Sequence, residues 1–167
     1  MHPEVQTFLI SVKKMYPNHF RDCTVLDVGS RDVNGTPRIH FDNCDYIGCD
    51  IISGNGVDLV MPVDRMLGKY KTIVCTEMLE HDKHWKISLE VMRKLMEPCG
   101  LLIITAAGPN RLEHGTRRSE SFCSPGTPDY YRNISKEDLQ EFSEQFLTYE
   151  IKYARNEQDI QFTGIGA

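Results

Sequence analysis

Val25-Leu26-Asp27-Val28-Gly29-Ser30, followed downstream by Tyr46-Ile47-Gly48-Cys49-Asp50, is the stretch that decides the fold. Each segment is a short apolar, β-branched run that ends in an acid or a glycine. A strand buried on both faces of a parallel sheet reads this way, because neither face alternates with solvent. Two such strands in succession put a glycine turn and a carboxylate on the same edge of a sheet, the edge where open α/β sheets bind ligands.

The spacing of the glycines narrows the ligand. A dinucleotide turn needs G-x-G-x-x-G, so that the backbone can approach a pyrophosphate. The turn here is Gly29-Ser30-Arg31-Asp32-Val33-Asn34-Gly35, and Asp27 and Asp32 would oppose a phosphate. No G-x-x-x-x-G-K-[ST] loop occurs either. An acidic first loop suits an adenosine-containing ligand with a cationic amino-acid end, as in S-adenosylmethionine. Asp50 would accept from its ribose hydroxyls, a charge-assisted contact worth about 1.5–3 kcal/mol.

On these residues the chain resembles the class I S-adenosylmethionine-dependent methyltransferases over about residues 20–166. The likeness also rests on Gly54-Asn55-Gly56-Val57-Asp58-Leu59-Val60, on Thr72-Ile73-Val74-Cys75-Thr76-Glu77-Met78-Leu79-Glu80-His81, and on Pro98-Cys99-Gly100-Leu101-Leu102-Ile103-Ile104-Thr105. It implies an α/β fold: a three-layer α/β/α sandwich around a mostly parallel seven-stranded sheet with a C-terminal antiparallel hairpin. It implies S-adenosylmethionine as cofactor and S-adenosylhomocysteine as product. The acceptor is expected to be a small molecule. Two alternatives stay open: an inactive cofactor-binding or complex-forming subunit, and a nucleotide-dependent oxidoreductase, against which the missing G-x-G-x-x-G counts.

Composition bounds these readings. The 167 residues suit one domain, 1–167, which needs no metal or disulfide staple. A net charge of −5, from 19 basic and 24 acidic side chains, argues against a surface built for nucleic acid. No apolar run approaches a membrane span, and no signal peptide is visible at Met1-His2-Pro3-Glu4. The six cysteines form no C-x-x-C pair and are expected to be reduced, in a cytoplasmic setting.

Along the chain, the N-terminal segment 1–17 carries an amphipathic helix with Val5, Phe8, Leu9, Val12 and Tyr16 on one face, ended by Pro17. Strands are expected at 23–28, 45–50, 57–60, 71–76 and 101–106. Residues 36–41 allow only a short helix or a single turn, and a short helix is placed at 62–68. Trp85, Leu89, Met92, Leu95 and Met96 predict a helix over 82–97, stopped by Pro98 and Gly100. A long loop, 107–134, lies on the substrate side. Ser135 with Asp138 forms a variant capping box for a helix to about 145. Strands at 146–154 and 160–166, linked through Arg155-Asn156-Glu157-Gln158, close the sheet as a hairpin.

The resemblance implies site residues one by one. Asp27 is either a contact to the methionine end of the cofactor or an acid capping its own turn. Gly29, Ser30, Asn34 and Gly35 line the same loop. Asp50 takes the ribose, and Ile51 packs on adenine or in the core. The family's acid after strand three is missing: Met61-Pro62-Val63-Asp64 stands there, so Val63 or Asp64 would read the adenine. Cys75 and Thr76 line the junction of cofactor and substrate. His81, and after it Glu77, are the candidate catalytic bases; the other reading of His81 is a residue that orients a loop or packs on the cofactor. His114, Tyr130, Tyr131 and Arg132 are candidate substrate contacts, or anchors of a solvated loop. His81-Asp82-Lys83-His84 reads as a solvated helix entrance, and no metal is expected.

Overall fold

The computed structural model describes residues 3–167, so Met1 and His2 of the N-terminal segment lie outside the described residues. Seven strands form one sheet: β1 Thr24–Val28, β2 Asp45–Asp50, β3 Leu59–Val60, β4 Tyr70–Thr76, β5 Met96–Ala107, β6 Thr148–Ala154 and β7 Asp159–Ile165. Their order across the sheet is β3-β2-β1-β4-β5-β7-β6. Every pairing from β3 to β5 is parallel, and β7 runs antiparallel to both β5 and β6. This is the expected α/β architecture with its closing hairpin.

The central strands read as continuous apolar runs because helices cover both faces. Successive residues go to opposite sides: Val25, Val74, Leu101 and Ile103 to one, Leu26, Ile73, Cys75, Leu102 and Ile104 to the other. The first side is covered by α1, Pro3–Met15, through Val5, Phe8, Leu9 and Val12. The second is covered by α2, Trp85–Leu95, and α3, Lys136–Ser143. Ser135 caps α3 with the capping box foreseen from the sequence, and both reciprocal bonds with Asp138 are made. No helix of the described residues is long and apolar enough to cross a membrane.

Three local expectations are corrected. The helix foreseen over 82–97 ends at Leu95, and Met96 already pairs with Tyr70 as the first residue of β5. Pro98 disfavours helical backbone at the residue before it, so the chain extends sooner than the apolar spacing suggests. The register then slips between Tyr70 and Thr72, where Cys99 adopts φ +53°. Strand 57–60 shrinks to Leu59–Val60, because the Asp58 carboxylate accepts the Gly48 N–H at 2.7 Å in place of a strand partner. The helix placed at 62–68 is a single 3-10 turn, Val63–Arg65. Residues 36–41 likewise hold only the 3-10 turn Pro37–His40, within the reading given for them.

Candidate active site

The strand order reverses between β1 and β4, where β1 passes to β2 on one side and β4 to β5 on the other. Loops leaving the carboxyl ends of these strands diverge there and open a crevice. The cleft so formed has a volume of about 1100 Å³.

Its floor is the turn after β1. Gly29 sits at φ +78°, and a Cβ there would lie 2.6 Å from Cβ and Cγ of Met78. Glycine at this position thus serves both the turn and the closure of the β4 loop onto it. The Gly29 and Ser30 amides donate to the Cys49 carbonyl at 2.9 and 3.1 Å, which ties the turn to β2. Ser30 is buried, its Oγ packed beside Gly48. Gly35 donates to Asp32 at 2.6 Å, and exposed Asn34 stands beside it on the cleft wall.

Asp50 ends β2 at the cleft. Its two carboxylate oxygens accept from the backbone amides of Arg31, at 3.3 Å, and Ile52, at 3.0 Å. Those amides fix the carboxylate's orientation and leave lone pairs for a ligand. Ile51 is 49% exposed and lines the cleft. Val63 is buried and Asp64 exposed, both on the wall beyond it.

Asp27 lies one layer deeper and is not part of the cleft wall. It is buried, one oxygen accepting from Tyr46 Oη at 2.8 Å and the other without a partner. Burial drives its pKa up to about 7, with the Tyr46 hydroxyl pulling the other way. Cys75 points into the core, not the cleft. Thr76 ends β4 on the cleft wall.

Glu77 follows at φ +56°, a strained conformation for a glutamate. It is held by its N–H to the Thr105 carbonyl at 2.9 Å and by Thr105 Oγ1 donating to its carboxylate at 2.8 Å. Burial raises its pKa, and Thr105 and Arg111 oppose the rise. The Arg111 guanidinium stands 3.7 Å from Glu77 and 2.6 Å from buried Asp159.

His81 is buried at the far end of the cleft. Burial, with His114 and Arg111 adding positive charge, pushes its pKa down to about 4. The imidazole is therefore neutral near pH 7, and a weaker base than a general base working there calls for. His114 and Tyr131 pack edgewise on it, at ring centroid separations of 5.0 and 5.6 Å. The long loop thus brings two of its four singled-out residues to His81. The other two go elsewhere. Arg132 pairs with Asp138 and lies over the Trp85 ring, and Tyr130 stands outside the cleft wall. Asp82, read as part of a solvated entrance, accepts the His84 amide at 2.7 Å and the Ser88 hydroxyl, organising the start of α2.

Several wall residues escaped the sequence reading. Arg31 and Ile52 hold Asp50 through backbone amides, which any residue could supply, so nothing in the sequence marked them. Ser124-Pro125-Gly126 folds back over the end of β2, where a Cβ on Gly126 would come 2.6 Å from Ile52 and 2.9 Å from Ile51. That contact spans some 75 residues and has no local signal.

Comparison with solved structures agrees with this geometry. The chain superposes on 1,6-didemethyltoxoflavin-N1-methyltransferase of Burkholderia thailandensis, solved with 1,6-didemethyltoxoflavin and S-adenosylhomocysteine. The TM-score is 0.65 at 13% identity, covering 95% of this chain and 78% of that one. It superposes on magnesium protoporphyrin IX methyltransferase of Synechocystis PCC 6803, solved with S-adenosylhomocysteine, at TM-score 0.62 and 15% identity, covering 97% and 83%. The fold is that of the S-adenosylmethionine-dependent methyltransferases. TehB from Haemophilus influenzae shares it at TM-score 0.65 and 14% identity, with all of this chain covering 63% of that one. No family model matches the chain, and no curated protein matches its sequence. The methyltransferase fold thus shows in the tertiary structure at identities where sequence comparison is silent.

Proposed function

We propose that the chain transfers a methyl group from S-adenosylmethionine to a small-molecule acceptor and releases S-adenosylhomocysteine. The observation that carries this reading is Asp50: a carboxylate at the end of β2, pinned by two backbone amides and facing a cleft at the point where the strand order reverses. The residues present fit the cofactor. Asp50 would accept from the ribose hydroxyls, and exposed Ile51 offers an apolar face for adenine. Val63 and Asp64 stand where the adenine edge would be read. The Gly29 backbone allows close approach of the amino-acid end, and Ser30, Asn34 and Gly35 belong to the same loop. The methyltransferases that share the fold, several holding S-adenosylhomocysteine, support the same choice.

When bound, S-adenosylmethionine supplies a methyl group made electrophilic by its sulfonium. The chain's own contribution is to position and to exclude water. Thr76, Glu77 and His81 border the end of the cleft away from Asp50, where an acceptor would lie. Holding an acceptor in line there is worth about 7–11 kcal/mol of barrier when alignment is good. Glu77 and neutral His81 can each accept a hydrogen bond from an acceptor N–H or O–H. The volume of about 1100 Å³ exceeds the roughly 300–1000 Å³ of ordinary small-molecule sites and leaves room for two ligands side by side.

Calorimetric titration with S-adenosylhomocysteine, with NAD as control, tests the reading. Micromolar binding is expected, weakened roughly 10- to 150-fold in Asp50→Ala by loss of a charge-assisted contact worth about 1.5–3 kcal/mol. Binding of NAD in preference, or no effect of the substitution, would overturn it.

A further inference from the structure

Behind the acceptor end of the cleft, Glu80 is completely buried, and neither of its carboxylate oxygens meets a hydrogen-bond partner. Nδ1 of His81 is buried and unpartnered as well. A buried carboxylate without a donor or a counter-ion is a costly arrangement, and buried charges are ordinarily paired or bound to metals. Arg111 lies near enough to act on it through its charge, while its guanidinium is ion-paired with Glu77 and Asp159. One potential ligand atom from each of Glu80, His81 and His114 lies within 4.8 Å of the others. No other group of His, Cys, Asp and Glu among the described residues gathers in this way.

We propose that Glu80, His81 and His114 form a binding site for a divalent cation of the zinc and cobalt class, open toward the acceptor end of the cleft. Two imidazoles and one carboxylate suit such borderline cations better than magnesium or calcium, which take oxygen ligands. Three protein ligands leave a fourth position free, the pattern of a site that handles an exogenous ligand. His81 and His114 both line the cleft, so that free position faces it.

The surroundings orient these ligands. His114 Nδ1 lies 3.2 Å from the Leu112 carbonyl; a proton donated there leaves Nε2 with its lone pair. Tyr131 packs edgewise on both imidazoles, and its hydroxyl donates to the same carbonyl at 3.1 Å. The Arg132 amide donates to the Glu80 carbonyl at 2.8 Å, which ties the long loop to the Glu80 turn. Gly115 sits at φ +71°, and a Cβ there would come 2.6 Å from His81 Cε1; only glycine leaves the ring its place. Tetrahedral ligands about 2.0 Å from a metal stand about 3.3 Å apart, so closure needs side-chain movement of roughly 1 Å.

The site deepens the proposed function, and it rests on that reading only in what the cation would hold: an acceptor that presents an oxygen or nitrogen donor to the free position. The test uses the untagged full chain, stripped of metal and titrated with Co²⁺, then with Zn²⁺ as competitor. One Co²⁺ per chain is expected, with the visible absorption of a four- or five-coordinate ion that Zn²⁺ abolishes. His114→Ala and Glu80→Gln are expected to bind more than about 100-fold more weakly, beyond the 10- to 100-fold usual for losing an outer partner of a ligand. His114 lies on a loop, and Gln keeps the shape of Glu80; thermal melting of each variant reports that it is folded. Failure of the wild-type chain to bind either ion, or unchanged binding in both folded variants, would overturn the proposal. Titrating the metal-free wild type with S-adenosylhomocysteine separates the two readings: cation binding without cofactor binding sinks the methyltransferase reading alone, and the converse sinks the metal site alone.

Discussion

Asp27 provides the sharpest test of how burial governs this fold. The group has an ordinary pKa of 3.8 and is driven to about 7 in the folded chain. A folded pKa raised above the unfolded one means that the native state holds the proton more tightly. Its stabilising contribution is complete below about pH 4 and lost as the pH rises through 7. At about 1.4 kcal/mol for each pH unit of difference, the full loss is about 4 kcal/mol, of which some 2–3 kcal/mol falls between pH 5 and pH 8. Asp27→Asn removes the titration while keeping an oxygen for the Tyr46 hydroxyl. At pH 5 the variant should be equal to the wild type or less stable by about 1–2 kcal/mol, since its amide brings a buried donor without a sure partner. At pH 8 it should be the more stable of the two. Urea unfolding of both proteins at pH 5, 6, 7 and 8 measures the difference directly, because pH effects from all other groups cancel in the comparison. Parallel stability curves would refute the reasoning, showing that Asp27 is ionised in the folded chain throughout.

Other substitutions separate framework from cleft. Gly48→Ala would set a Cβ 2.3 Å from the Gly56 carbonyl oxygen and should cost several kcal/mol or prevent folding, whereas Gly126→Ala meets only the flexible ends of Ile51 and Ile52. The Gly126 variant should therefore melt within a few degrees of the wild type yet bind S-adenosylhomocysteine several-fold more weakly; equal affinity would detach the 124–126 segment from the ligand site. Arg111→Met leaves buried Asp159 without its 2.6 Å partner and should cost about 3–5 kcal/mol in chemical unfolding. By contrast, Arg117→Ala breaks the exposed pair with Asp129 and should stay within about 0.5–1 kcal/mol.

Much of this was legible along the chain. The parallel strands were found because burial on both faces demands apolar runs, and β1, β4 and β5 are covered by helices on both sides, while β2 is partly buried. The hairpin and the α3 cap were found because each depends on contacts within a few residues. Boundaries slipped where a tertiary partner competed with local pattern: Met96 leaves its helical face to pair with Tyr70, and Asp58 takes up a ladder donor that would have lengthened β3. Asp50 was legible as a cleft residue, since a carboxylate closing an apolar strand has few other uses. Cys75 and Asp27 were harder, because alternation along a strand decides which side chain faces the core, and the cleft opens only at the strand's last residue.

The sequence by itself determined the sheet, the edge at which the cleft opens, and the carboxylate that marks that edge. These follow from short-range rules: strand periodicity, glycine geometry and the chemistry of single residue types. Only the tertiary structure decided what surrounds His81. Glu80 stood in the sequence only as part of the Thr72–His81 stretch, and His114, 34 positions further along the chain, as a candidate substrate contact of the long loop. Their meeting depends on the path of the whole loop from 108 to 134, pinned by the Arg132 amide on Glu80 and by the Ile134 amide on Ala107 at 2.8 Å. Such contacts have no local signal, because they are set by where the packed core leaves room and not by any preference of the residues that meet there.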